Sequence, residues 1–398
     1  MVGHTAPRWL VLPALMLGGA SMGLFFSISP VLAEIAEHFA PRFANGGRAD
    51  LIAQTMLLIP SVGFMLGGWS SGPLIAKLGL RRLATLAAVG YGIMGGLGLV
   101  VDDPWSLLAG RLLLGFGSAA LVTACIALTA ELYTADGRAR LIGYEVAAGG
   151  LALVGGLFVA GAAATEFGWR GPFALFPGFG LLAATLVLLC FPPELAAKPP
   201  AAAEARGSLR AVWPIYAIAA PTSTILVLGP SQIPFVLAGD GFADPAIQSA
   251  VMAVGSVSTI VMSTAYGTVQ ARIGRPNTLA AGLVAATAAL IVVGLGHDPV
   301  ASGAGAGLIG VAAGFFSHYV REMTVIRAPP ALRARAIGQL SAATSIGSVL
   351  APFLVAPLRT SFGLHGAMLA LAAAAGLAAV ITLGANALGH ADHAPGAG

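Results

Sequence analysis

The sequence predicts an all-α membrane protein: twelve transmembrane helices in two pseudo-symmetric six-helix bundles. Three observations carry this. Of 398 residues, 57% are hydrophobic and 9% are charged, against roughly 25% charged in soluble domains. Apolar runs of about 20 residues recur along the whole chain, each able to cross a hydrocarbon core about 30 Å thick. Two polar loops repeat at one fixed spacing. With 20 Lys and Arg, 16 Asp and Glu and a mean hydropathy of +0.89, there are too few charges to coat a soluble body of this size. The formal charge of +4 is too small an excess for a nucleic-acid groove.

The spans are expected near 9–33, 51–75, 83–101, 105–132, 141–164 and 171–191, then 211–238, 246–270, 278–296, 299–325, 336–358 and 364–388. They must be helices, because lipid offers no partner to an open backbone. The alternating ten-residue segments of a membrane β-barrel are not visible. The first run follows Arg8 as a signal peptide would, but it continues through FFSISPVLA to a full membrane crossing. An uncleaved first helix is the preferred reading and a signal peptide the alternative.

The basic residues orient the spans. Fourteen, among them Arg8, Lys77, Arg81, Arg82, Arg138, Arg140, Arg272 and Arg275, fall on one face. Only Arg42, Arg48, Arg170 and Arg359 fall on the other. The first face is therefore read as cytoplasmic, with both termini on it. Residues 1–192 would form the first bundle and 209–390 the second. A cytoplasmic linker at 193–208, rich in Pro and Ala, would join them, and 391–398 would be a short tail.

The halves share signals at one offset. GPLIAKLGLRR starts at Gly72 and GTVQARIGRPN at Gly267; RARLIG starts at Arg138 and RARAIG at Arg333; both spacings are 195 residues. A duplicated six-helix unit explains both. Cys125 and Cys190 lie in apolar runs, and no disulfide framework or metal-type spacing is present.

These residues resemble the major facilitator superfamily. Gly72, Lys77, Gly79, Arg81 and Arg82 sit in or next to the places of its motif A, and Gly267, Arg272, Gly274 and Arg275 echo it. The motif's Asp is replaced by Ala76 and Ala271. Arg111, Gly115, Gly117 and Ala119 resemble motif B. AELYTADGRARLIG resembles the turn after helix 4, and FGWRGPF at 167–173 the outer turn between helices 5 and 6. The resemblance covers essentially the whole chain. It implies a substrate cavity lined by helices 1, 4, 7 and 10, which here contribute Phe25, Phe26, Arg111, Phe116, Gln232, Phe235, Phe315 and His318. It also implies a cytoplasmic latch in which Lys77, Arg81 and Arg82 meet Glu131, near Arg138 and Arg140.

A charge inside a membrane helix is costly, so Arg111 is expected to face the protein interior or water. Its removal is expected to abolish flux and leave the fold intact. Phe315, His318 and Glu322 share a helical face, so His318 is placed to hydrogen-bond Glu322 and to carry a proton. A pairing of Glu322 with Arg321 or Arg327 is the plainer alternative. Glu34 is a further proton-coupling candidate at the cavity mouth. Glu145 is expected to join the Arg138 and Arg140 cluster. Gly149, Gly150, Gly155, Gly156 and Gly161 predict close packing of helix 5. The Gly155–Gly156 pair lacks the Pro of the antiporter motif, which leaves the direction of transport open.

The expected function is secondary transport of a small organic molecule by alternating access in the cytoplasmic membrane. Proton-coupled efflux of a hydrophobic or drug-like compound comes first, and proton-coupled uptake of an organic acid or other metabolite second. A membrane enzyme or a non-transporting sensor is a distant reading: an enzyme would need a cluster of nucleophile, base or metal ligands at one membrane depth, and His and acidic groups within the spans number only a handful, with no His-rich or Asp-rich motif. No cofactor, resident metal or nucleic-acid partner is expected. The expected partners are the substrate, protons and the bilayer, and the chain is expected to act as a monomer.

Overall fold

A computed structural model describes residues 8–43, 46–132, 135–191, 208–329 and 332–391, and these contain no β-strand. The helices are α1 (Arg8–Gly23), α2 (Leu32–Phe39), α3 (Gly46–Leu58), α4 (Pro60–Leu78), α5 (Leu80–Gly95), α6 (Pro104–Leu132), α7 (Ala135–Phe167) and α8 (Leu175–Cys190). They continue with α9 (Trp213–Leu226), α10 (Leu228–Gly239), α11 (Pro245–Ile273), α12 (Arg275–Leu295), α13 (Pro299–Arg327) and α14 (Arg333–Ala391). Short 3-10 turns join several of them, including Leu24–Val31 between α1 and α2.

Ten helical stretches among the described residues are long and apolar enough to cross a membrane. Two of them, Ala147–Cys190 and Ala336–Gly384, run to 44 and 49 residues. At 1.5 Å per residue each is about twice a bilayer's need. Each is broken by a glycine in the left-handed region, Gly168 at φ 61° and Gly363 at φ 72°. Divided there, the ten stretches make twelve crossings. The expected first, second and seventh spans are each built from two shorter helices. Pro60 heads α4, Pro30 lies in the 3-10 turn, and α9 gives way to α10 at Val227. Proline removes a backbone donor and turns the chain aside, and the freed groups find partners in neighbouring helices.

The chain forms two compact units. One comprises Met1–Arg206 and Asp244–Ser249, the other Gly207–Ala243 and Ala250–Gly398. In the first, α6 packs on α1, α4 and α5, α1 on α7, and α5 on α8. In the second, α13 packs on α9 and α12, and both α9 and α12 pack on α14. The expected linker at 193–208 and tail at 391–398 lie outside the described residues except at Ser208 and Ala391.

The 195-residue repeat reaches into the backbone. Gly79 and Gly274 share one conformation, φ 81°, ψ 156° and φ 80°, ψ 150°. Both turn the chain between consecutive helices at an angle that a Cβ opposes. Gly168 and Gly363 are a second pair at the same spacing. Asp103 and Asp298 are a third, each accepting from backbone N–H groups at the start of the helix that follows, where such donors lack partners.

The helix crossings repeat as well. A Cβ on Gly115 would land on the Pro60 carbonyl oxygen, and a Cβ on Gly310 on that of Gly255, the same pair of positions in each unit. The backbones of α6 and α4, and of α13 and α11, touch there. Lipid supplies no hydrophobic drive for association, so small residues that permit such contact hold the helices together. Gly115→Leu and Gly310→Leu should each therefore destabilise their unit by about 3 kcal/mol or more. Thermal unfolding in detergent would measure this, with Gly68→Leu, which has open space around it, staying near the parent value.

Candidate functional site

Arg111 is the largest side chain that the described residues bury almost completely, at 1% exposure. Its Nε donates to the Met56 carbonyl at 3.0 Å and its Nη2 to the Phe25 carbonyl at 2.6 Å. The guanidinium lies 5.1 Å from the Phe176 ring centroid. The first bond has a clear cause. Met56 lies four residues before Pro60, which has no N–H to return to it, and Arg111 supplies the missing donor. Among the described residues no carboxylate comes within ion-pair distance, and Nη1 has no partner. Arg111 thus faces the protein interior, as expected, but it is engaged by backbone. Around it, Tyr91 Oη donates to the Ser21 carbonyl at 2.8 Å, and the Ser21 and Ser118 hydroxyls meet at 2.7 Å.

Glu145 is described, but the arginines it is expected to join are not. The Arg138 and Arg140 side chains, and that of Glu131, lie outside the described residues, so the proposed cluster and latch partner do too. The Glu145 carboxylate turns inward against α1. It is 8% exposed, and a Cβ on Gly18 would collide with its Oε1. That oxygen has no partner among the described residues. Gly18 and Gly19 are the reason, because without side chains on α1 the stem of Glu145 can lie down between α1 and α6.

The second unit corrects the reading of helix 10. Phe315 is buried and meets the Tyr266 ring edge-on at 6.5 Å. His318 does not hydrogen-bond Glu322. Its Nδ1 lies 2.9 Å from the Gly314 carbonyl, and its ring stacks on Tyr266 at 4.9 Å. Glu322 instead accepts from Tyr266 Oη at 3.0 Å, from Gln270 Nε2 at 2.6 Å and from Arg275 Nε at 2.8 Å. Its cation is Arg275, neither Arg321 nor Arg327. The counterparts of Tyr266, Gln270, Arg275 and Glu322 at the repeat spacing are Ser71, Ile75, Leu80 and Ala127, so this network belongs to one half only.

The remaining candidates spread over both units. Phe25 and Phe235 are buried, Gln232 fully so, while Phe26, Phe116 and Glu34 are half-buried. The Arg359 guanidinium lies 4.9 Å from the Phe235 centroid. Arg81 donates to the Leu188 carbonyl at 2.5 Å near the end of α8. Lys77, Arg82, Arg272 and Gly267 are exposed, as is Gly274, and Gly72 is half-buried.

Two polar clusters escaped the sequence reading. In the first unit Asp102 gathers His38 at 2.6 Å, Arg42 at 2.6 Å and Arg170 at 3.0 Å. Arg170 also donates to the Gly98 and Val101 carbonyls and stacks on Trp169. In the second unit Asp240 meets His297 and His365. One signal could have found them: FGLHGAM at 362–368 lies 195 residues after FGWRGPF, so His365 replaces Arg170. The hydrogen bond from His38 holds the Asp102 carboxyl below the ordinary carboxylate range, and the charges of Arg42 and Arg170 act the same way.

Comparison with known proteins agrees with this architecture. A sequence model described as the Major Facilitator Superfamily matches residues 14–238. A protein of Haemophilus influenzae named for metabolite transport is 28% identical over 39% of the chain, and one of Arabidopsis thaliana named as an inositol transporter is 30% identical over 36%. The matches span only 36% and 24% of those relatives' own lengths. Among solved structures, the nucleoside transporter NupG superposes with TM-score 0.76 at 14% identity, covering 94% of this chain and 99% of that one. A bacterial homologue of the human lysosomal transporter Spinster gives 0.73 at 18%, covering 95% and 97%. A D-xylose–proton symporter gives 0.71 at 17%, covering 94% and 97%.

Two outcomes follow from these contacts. Arg111→Met leaves the Met56 carbonyl without its donor, removes the bond to the Phe25 carbonyl, and should lower stability by about 2 kcal/mol; thermal unfolding would read this, and an unchanged midpoint with flux lost would return Arg111 to substrate contact. For Asp102 the depressed pKa means that its contribution is complete above the unfolded value of about 3.9 and disappears as pH falls through the lower folded value. The melting-temperature difference between the parent and Asp102→Asn should accordingly be present at neutral pH and close on strong acidification.

Proposed function

The chain belongs to the major facilitator superfamily, and on that footing we propose that it exports a small uncharged organic molecule across the cytoplasmic membrane in exchange for protons. Membership and fold make it a membrane transporter of small molecules and not an enzyme. The coupling ion, the direction and the cargo class are the proposal.

Glu145 carries the reading. It is a buried carboxylate with an oxygen that no described residue partners, in a corner of the first unit walled by the glycines of α1. An ionised carboxylate is costly in such a place and a protonated one is not. Wetting and drying of that corner during alternating access would release and recover a proton. His318, stacked on the Tyr266 that serves Glu322, is a further proton-coupling candidate in the second unit. The uncharged cargo is supported by Arg111, which is hidden and held on carbonyls, while the half-buried candidates Phe26 and Phe116 are aromatic. The asymmetry of fourteen basic residues against four supports cytoplasmic termini.

Proton-coupled uptake of a neutral metabolite is the second reading. The relatives named for metabolite transport and for inositol favour it.

Reconstitution separates the two. In proteoliposomes loaded with a pH-sensitive dye, downhill movement of a transported compound should drive protons the opposite way under exchange and the same way under co-transport. Opposite movement is expected. Glu145→Gln should reduce the proton signal to background and spare substrate counterflow, and an undiminished proton signal in that variant would remove Glu145 from the coupling.

A further inference from the structure

Three side chains from three separate segments of the second unit converge at the end away from Gly274. Asp240 is the C-cap of α10, His297 lies in the short connection between α12 and α13, and His365 follows the Gly363 kink of α14. His297 Nδ1 and His365 Nε2 stand 3.3 and 3.0 Å from the same oxygen, Asp240 Oδ1. The three candidate ligand atoms all fall within 4.8 Å of one another.

The hydrogen-bond roles make this more than a polar contact. His365 Nδ1 lies 3.2 Å from the Val293 carbonyl oxygen. A carbonyl only accepts, so Nδ1 bears the proton. In the neutral ring Nε2 then holds a lone pair, aimed at a carboxylate oxygen 3.0 Å away. Two acceptors so placed repel unless a cation stands between them. The second oxygen, Asp240 Oδ2, is itself buried with no partner among the described residues.

The geometry points to a site for a divalent transition-metal ion, Zn2+ by its ligand chemistry, formed by Asp240, His297 and His365. Imidazole and carboxylate suit that ion. Ligands about 2.0–2.1 Å from a tetrahedral Zn2+ stand about 3.3 Å from one another, close to both Asp–His separations here, and the two imidazoles, whose ligand atoms lie within 4.8 Å, would draw together on the ion. The Val293 carbonyl plays the part of the outer partner that fixes a metal-bound imidazole. Asp298 holds the loop that carries His297 through its bonds to the Val300 and Ala301 N–H groups. The fourth position opens to solvent beside His297, whose side chain is 67% exposed.

The repeat sharpens the argument. His297 and His365 occupy the positions of Asp102 and Arg170, 195 residues earlier. That earlier pair closes on itself as carboxylate and guanidinium at 3.0 Å. In the second unit both members are imidazoles turned on one carboxylate, an arrangement completed by a bound cation. The ion would tie together the end of α10, the α12–α13 connection and the kink of α14.

The test is zinc binding by the full chain without a polyhistidine tag, with His390 and His393 replaced by Ala throughout so that the tail contributes nothing. Protein in detergent is stripped with a chelator and titrated with ZnCl2 by calorimetry above the ordinary imidazole pKa of about 6.5. Saturable binding near one ion per chain is expected, with a rise in melting temperature that Mg2+ does not produce. His297→Ala and His365→Ala should each remove both effects. His297 is exposed, so the fold of its variant, checked by its unfolding midpoint without zinc, separates loss of a ligand from loss of structure. Absence of saturable binding in the parent, or undiminished binding in His297→Ala, overturns the site and leaves a proton as the cation between His365 and Asp240.

Discussion

Backbone contact between crossing helices, α6 on α4 at Gly115 and α13 on α11 at Gly310, is the constraint on which the rest depends. In lipid the apolar surfaces gain nothing by leaving their solvent, so close approach has to supply the cohesion. The contact also sets the reach of neighbouring groups. Arg111 stands one turn from Gly115, and because α6 lies so near, its Nε arrives at the carbonyl that Pro60 leaves without a donor. The costly charge and the helix break answer each other through that bond.

The duplicated unit supplies scaffold, and chemistry appears where the duplication fails. Gly79 and Gly274, Gly168 and Gly363, and Asp103 and Asp298 hold the same backbone roles in both halves. Arg111 corresponds to Ala306, and Glu322 to Ala127. Each half therefore holds its own polar interior: a guanidinium on carbonyls and a buried carboxylate in the first, and a Tyr–Gln–Arg–Glu network in the second.

Much of this was legible without coordinates. Apolar length gave the crossings, and the offset of 195 between two loops predicted the shared turns at Gly79 and Gly274. The motif around Arg111 located a buried charge. What could not be read was the partner of each charge. Helical periodicity puts His318 and Glu322 on one face, yet Tyr266, from another helix, stacks on the histidine and donates to the carboxylate. Periodicity also leaves Glu145 among the arginines near it in sequence, because nothing along one helix reveals that Gly18 and Gly19 on another have made room for its side chain.

The sequence by itself determined that the chain lives in lipid, how often it crosses and that it is a doubled unit, because hydropathy, span length and internal similarity are properties of segments taken one at a time. Tertiary structure alone decided which polar groups meet: Arg111 with Met56 and Phe25, Glu322 with Arg275, and Asp240 with His297 and His365. Those encounters depend on helix depth and rotation to within a few ångströms. Depth and rotation are set by how neighbouring backbones pack, which no single segment encodes.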